Sequence, residues 1–155
     1  MESGGLLRTL LGAFVMALLI YVGFYSCDHR LRTRKGAWQV AFLVETNGRP
    51  AIVVNEPFLG VSNLKIVLDG ESTTNPPGDV AFDFPLKPVP FGRVEFEDLT
   101  YLPGTVTLDL FGHEIEFLPR TLVVNTQERP WQSDATIHLS PAEKIPGLTT
   151  RKPHR

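Results

Sequence analysis

The chain has 155 residues, 43% of them hydrophobic and 21% charged, with 17 acids, 15 bases and a single cysteine. This composition excludes a wholly disordered chain, and one cysteine excludes an internal disulfide framework or a multi-cysteine zinc site. The formal charge of -2 conceals a segregation, because fourteen acids face only six bases between Gly36 and Ser140, a local charge of -8. Such a body repels phosphate backbones, so no nucleic-acid partner is expected.

After a short N-terminal tail at residues 1–9, eighteen residues from Leu10 to Cys27 pass without a charge. A helix of that length rises about 27 Å, close to the hydrocarbon thickness of a bilayer, which predicts a membrane-spanning anchor over 10–27. Phe24 and Tyr25 are too bulky for the small-residue cleavage site of a signal peptide, so the anchor is expected to stay uncleaved. Tyr21 and Tyr25 then serve as interfacial aromatics. Those bulky residues also spoil a lipoprotein reading of Cys27, which is taken as a boundary thiol, with palmitoylation as the alternative. Ala13 and Ala17 form one small-xxx-small pair through which two such helices could approach as a homodimer.

Residues 28–36 read as a basic juxtamembrane linker. Arg30, Arg32, Arg34 and Lys35 lie beyond the apolar run, against Arg8 before it. These four cations suit contact with anionic head groups, and the positive-inside rule places the C-terminal domain in the cytoplasm. The periplasmic or other extracytoplasmic side is the alternative, since a small β-domain behind one N-terminal helix is also the plan of many exported envelope proteins.

From residue 37 to 140 apolar residues recur at every second position in short runs bounded by Gly, Pro and Asn. The class is all-β: a single antiparallel β-sandwich, or a barrel, of about nine short strands. Trp38, Val40, Phe42 and Val44 share one face of the first strand. Asn47-Gly48 predicts a tight type I′ hairpin that sets Leu43 opposite Ile52 and Ala41 opposite Val54. Further strands are expected at 64–69, 80–84, 94–97, 105–110, 113–118, 121–124 and 136–139, with irregular crossings at GESTTNPPG and PLKPVP. The tail 141–155, with three prolines and no apolar pattern, is expected to be disordered and basic.

The densest polar set lies in TVTLDLFGHEIEFL. If Phe111-Gly112 is its turn, Leu108 faces Ile115 and Val106 faces Phe117 on the buried side, while Asp109 faces Glu114 and Thr107 faces Glu116 on the other. Opposed carboxylates at Asp109 and Glu114 cost stability in a sheet, and such a pair could share a proton, hold a hard cation or meet a basic partner. The plain structural reading is a solvated face with the turn offset by one residue. Glu95, Glu97 and Asp98 could extend an oxygen-rich site, but their spacing fits no calcium loop, and a charged edge that discourages aggregation accounts for them.

His113-Glu114 resembles the start of the zinc-protease helix motif, yet Phe117 stands where the second histidine belongs, so zinc hydrolysis is discarded. His113 and His138 could still meet as a pair. Trp131, in the polar run NTQERPWQSD, suits a sugar or protein partner if it projects, and otherwise caps the open end of the β-domain.

No nucleophile elbow, phosphate loop, dinucleotide fingerprint or two-cysteine pair is present in the sequence. The expectation is a non-enzymatic single-pass membrane protein, without metal or cofactor, acting as an accessory or scaffolding subunit beside a protein partner in a membrane assembly. The alternative is a tethered binding domain presenting Trp131, Asp109, Glu114, Glu116 and His113 to a carbohydrate or a calcium ion. A third reading is an envelope hydrolase in which His113 or His138 meets a carboxylate.

Overall fold

In the computed structural model the chain is described over residues 3–34, 37–85, 87–99 and 104–148, with backbone alone at 3–4 and 28–34. It divides into an N-terminal helical unit and a β-rich unit beginning at Gly36.

The helical unit is one helix, α1, Ser3–Arg34. Its apolar stretch, Gly5–Cys27, is 23 residues long with mean hydropathy 2.1, long and apolar enough to cross a membrane, and none of it is buried inside the molecule. The span opens five residues before the predicted one, because Leu6 and Leu7 extend the apolar surface past Arg8. Tyr21 and Tyr25, one turn apart, stack at 6.4 Å between ring centroids. The backbone stays helical through Arg34, so the stretch read as a linker continues the helix for seven residues. The side chains of Arg30, Arg32 and Arg34, and all of Lys35, lie outside the described residues.

The β-rich unit holds ten strands among the described residues, in two separate five-stranded sheets. The first sheet contains β1 (Gln39–Val44), β2 (Pro50–Glu56), β3 (Val61–Leu68), β4 (Gly78–Ala81) and β10 (Thr136–Leu139), ordered β10-β3-β2-β1-β4. The second is a meander of β5 (Arg93–Asp98), β6 (Thr105–Leu110), β7 (His113–Phe117), β8 (Leu122–Val124) and β9 (Gln127–Arg129). All pairings are antiparallel except β10 with β3, which run parallel because the chain crosses from the second sheet back to the edge of the first. Strand β9, a polar Gln-Glu-Arg run, was not legible as a strand in the sequence. It is held by the positive-φ turn at Asn125-Thr126.

The first hairpin differs from its expected register by one residue. Leu43 lies opposite Ala51, Phe42 opposite Ile52 and Ala41 opposite Val53. The loop has three residues: Gly48 N donates to Glu45 O at 2.8 Å and Glu45 N to Arg49 O at 2.9 Å. Only Gly48 has positive φ, 81°, which is a type I turn closed by a G1 bulge and not a two-residue turn. The Asn47 side chain accepts from Arg49 N at 3.1 Å and stabilises this form. The shift is favourable because it sets Val40 against Val54 and Phe42 against Ile52, all four buried on the same face.

Both sheets contribute their apolar faces to one core that includes Trp38, Phe42, Ile52, Leu64 and Ile66 from the first sheet's strands and entry segment, and Leu108, Leu110, Ile115, Phe117 and Leu122 from the second. Phe91 joins them, its ring 5.0 Å from Phe42 in an edge contact. Trp38 Nε1 donates to Gly104 O at 2.9 Å, so the largest buried side chain leaves no polar atom unsatisfied.

The packed body runs to Leu148, taking in the first eight residues of the expected tail. Pro141 opens a 3-10 turn, Pro141–Glu143, whose Glu143 carboxylate accepts from Ser140 N at 2.8 Å. Ile145 N then donates to Gly112 O at 3.0 Å, Lys144 pairs with Glu71 at 2.5 Å, and Arg93 donates to Leu148 O at 3.0 Å. Pro141, one of the prolines that suggest disorder, instead opens this turn, and Ile145 and Leu148 supply apolar anchors. Residues 149–155 lie outside the described part.

Candidate functional site

The β6–β7 hairpin turns at Phe111-Gly112, with φ of 55° and 89°. Leu108 therefore lies opposite Ile115, Val106 opposite Phe117, Asp109 opposite Glu114 and Thr107 opposite Glu116, and no residue is offset. The mirror-image turn that Asn47-Gly48 does not adopt is adopted here. Asp109 explains part of this, since its Oδ1 accepts from Gly112 N at 3.0 Å and braces the positive-φ pair.

The opposed carboxylates are thus adjacent by register, and their environment separates them. Asp109 is 5% exposed and its Oδ2 meets Arg93 Nη2 at 3.1 Å across the β5–β6 pair. Arg93 also pairs with Glu95. One guanidinium thus offsets the repulsion that Asp109 would otherwise feel from Glu114, and the half-buried ladder is tolerated. Glu116, one row further along the same face, has its pKa raised, first by burial and then by the neighbouring Glu114 charge. Among the described residues no group of three or more His, Cys, Asp or Glu side chains is placed to hold a metal ion.

His113 does not join this face. It lies opposite Leu110 on the inner side of the sheet and is fully buried. Asn125 Nδ2 donates to His113 Nδ1 at 3.0 Å, so the ring is neutral with its proton on Nε2. Nε2 has no hydrogen-bond partner among the described residues. Burial, and then the Lys144 charge, hold the imidazole pKa below its usual value, which agrees with that tautomer. Asn125 also accepts from Glu114 N through Oδ1 at 3.1 Å, so one amide clips the hairpin from the adjoining turn.

His138 sits on the other sheet, on the exposed side of edge strand β10, where Nδ1 meets Asp69 Oδ2 at 3.0 Å. The two histidines occupy different sheets and opposite kinds of surface, and they do not form a pair. Asp69 belongs to a charged network absent from the sequence reading. Arg49 bridges Glu45 at 2.8 Å and Asp69 at 2.9 Å, and Lys65 meets Glu45 at 2.6 Å. The Lys65 hydrogen bond, with Arg49 beside it, draws the Glu45 pKa down. Ala51 and Val67, paired across β2 and β3, are both buried.

Trp131 does not project. Its ring stacks on Trp38 at 4.9 Å and its Nε1 donates to Leu118 O at 2.8 Å, closing the end of the core beside Phe117. Trp131, His113, Asp109, Glu114 and Glu116 are one candidate set by sequence. The structure brings together the three carboxylates and sets the ring systems elsewhere.

No known protein family, curated protein or solved structure matches the chain.

Proposed function

We propose that the two sheets form a β-sandwich carried on a single uncleaved membrane-spanning helix, and that the protein is a non-catalytic accessory or scaffolding subunit of a larger membrane assembly. The observation that carries this reading is the uncovered apolar helix. Twenty-three residues expose an apolar surface on every side, beside a body whose own core is filled by side chains from both sheets. Exposing that much apolar surface to water is unfavourable at about 25 cal/mol per Å², and a bilayer removes the cost.

The acidic outer face at Glu114 and Glu116 supplies a surface for a basic partner, and the four cations at Arg30, Arg32, Arg34 and Lys35 favour a cytoplasmic body. A homodimer through the helix faces bearing Ala13 and Ala17 is the alternative assembly, in which the anchor and not the β-rich unit makes the contact. The test is extraction from native membranes in polymer nanodiscs, followed by mass measurement. The proposal expects a complex of fixed stoichiometry, and a species at 17.3 kDa alone contradicts it.

A further inference from the structure

Edge strand β9 of the second sheet and strands β3 and β10 of the first border a common cleft. The cleft has a volume of about 350 Å³ and is lined by Leu64, Ile137, Gln127, Glu128, Arg129, Pro130 and Gln132. Its volume lies at the small end of the range of about 300–1,000 Å³ found for ligand sites.

The register decides which side chains face into it. Gln127 pairs with Val124 and Arg129 with Leu122, and paired residues in an antiparallel ladder share a face. Val124 and Leu122 are both buried in the core, so Gln127 and Arg129 turn toward the cleft. Glu128 also borders the cleft, but it pairs with Val123 and so belongs to the opposite face of the ladder from Gln127 and Arg129. The first sheet supplies an apolar wall, since Leu64 is 1% exposed and Ile137 packs against the core. One wall is thus aliphatic, and the other carries a guanidinium and a primary amide.

Among the described residues of the β-rich unit, Arg120 and Arg129 are the cations without an ion pair, and of these Arg120 is exposed whereas Arg129 is half-buried. The body carries a formal -8, and Arg49, Arg93, Lys65, Lys87 and Lys144 each meet a carboxylate. The Arg129 guanidinium is half-buried yet has no ion pair or side-chain hydrogen bond among the described residues. Glu143 feels its charge at longer range, but that carboxylate already accepts from Ser140 N and Oγ. Arg129 keeps part of its surface in water and so has donors free for a ligand, and a planar fork beside an aliphatic wall matches a carboxylate on an apolar stem.

We propose that this cleft binds a small aliphatic carboxylate, with the carboxylate on Arg129 and Gln127 and the stem along Leu64 and Ile137. The inference is independent of the scaffolding role, since it concerns only the β-rich unit's own side chains.

The test uses the full chain in lipid nanodiscs and two-dimensional amide NMR, with hexanoate as probe and hexanamide and hexylammonium as its neutral and cationic counterparts. Hexanoate should shift the amides of Leu64, Gln127, Arg129 and Ile137 saturably. Arg129→Gln should weaken its binding about tenfold, the ratio expected when a charge-assisted hydrogen bond is lost. Hexanamide should bind weakly in the same place, and hexylammonium should not bind. Equal shifts from all three probes, or none at the cleft, overturn the proposal. That comparison is made on the unaltered protein, so it stands even if the variant folds poorly.

Discussion

Leu148 is the residue that most sharply separates a packed C-terminal segment from a loose one. It is 3% exposed, and its carbonyl accepts from Arg93, a residue on strand β5. Leu148→Ala removes three carbons from that packing. Buried Leu to Ala changes cost roughly 2–5 kcal/mol, the sum of lost transfer energy and the cavity left behind. The segment is held at Gly112 and Glu71 as well, so the backbone is not released outright. It lies near the end of the packed chain and can partly collapse, which places the loss at about 2–3 kcal/mol. For a β-rich unit of this size a loss of 1 kcal/mol lowers Tm by about 4 °C, so the expected drop is roughly 8–12 °C. The assay is thermal unfolding of the full chain in nanodiscs, followed by tryptophan fluorescence, because Trp38 and Trp131 report core melting. Amide exchange provides a second readout, since Ile145 N should lose protection as its bond to Gly112 O opens more often. A Tm change below about 2 °C, with Ile145 already unprotected in the unaltered protein, refutes the packed segment.

Three further outcomes follow from two buried groups and one glycine with positive φ. His113 has a folded-state pKa below 6.5, so the unfolded chain binds the proton more readily; the stabilising contribution is complete above that value and is lost as pH falls below it. Tm should therefore decline from pH 7 toward pH 5.5, and His113→Gln should flatten that slope, as scanning calorimetry at several pH values will show. Glu56 is fully buried, with Oε1 accepting from Phe58 N at 3.0 Å, Oε2 unpartnered among the described residues and its pKa raised by burial. A raised carboxyl destabilises the fold as pH rises, so Glu56→Gln should be at least as stable as the parent at pH 8, with the advantage vanishing near pH 4.5 in urea titrations. Gly92 has φ of 74°, and a Cβ there would stand 2.3 Å from Leu110 Cδ2 and 2.5 Å from Asp109 O. Gly92→Ala should cost about 3 kcal/mol or more, since backbone strain and overpacking add; a loss under about 1 kcal/mol by urea titration contradicts this geometry.

The apolar helix and the β-class were legible because both rest on periodicity, a long uncharged run in one case and alternation in the other. Turn chemistry was less so. Asn47-Gly48 looked the stronger mirror-image turn, but the Asn47 side chain favours a three-residue loop, and burial of Phe42 against Ile52 rewards it. Phe111-Gly112 looked weaker, and its brace comes from Asp109, a residue read only as half of a repulsive pair. The face carrying Asp109, Glu114 and Glu116 followed from the register, whereas the Arg93 contact that makes it tolerable depends on how β5 pairs, which no local pattern specifies. Strand β9 escaped because Gln, Glu and Arg carry no apolar signal, and with it went the cleft that Arg129 enters. Ile145 and Leu148 were hidden among prolines, although two apolar residues three apart at the end of a polar tail are a signal worth weighing.

The central claim is that the β-rich unit joins a membrane assembly through its own surface, with the helix as tether. The most direct measurement is the mass of the protein in polymer nanodiscs cut from native membranes, for the unaltered chain and for a chain whose residues 5–27 are replaced by an unrelated membrane helix. The account predicts the same stoichiometric complex in both, lost when Glu114 and Glu116 are changed to Lys. A monomer in both preparations contradicts it, and a complex that disappears with the helix exchange assigns the assembly to the anchor instead.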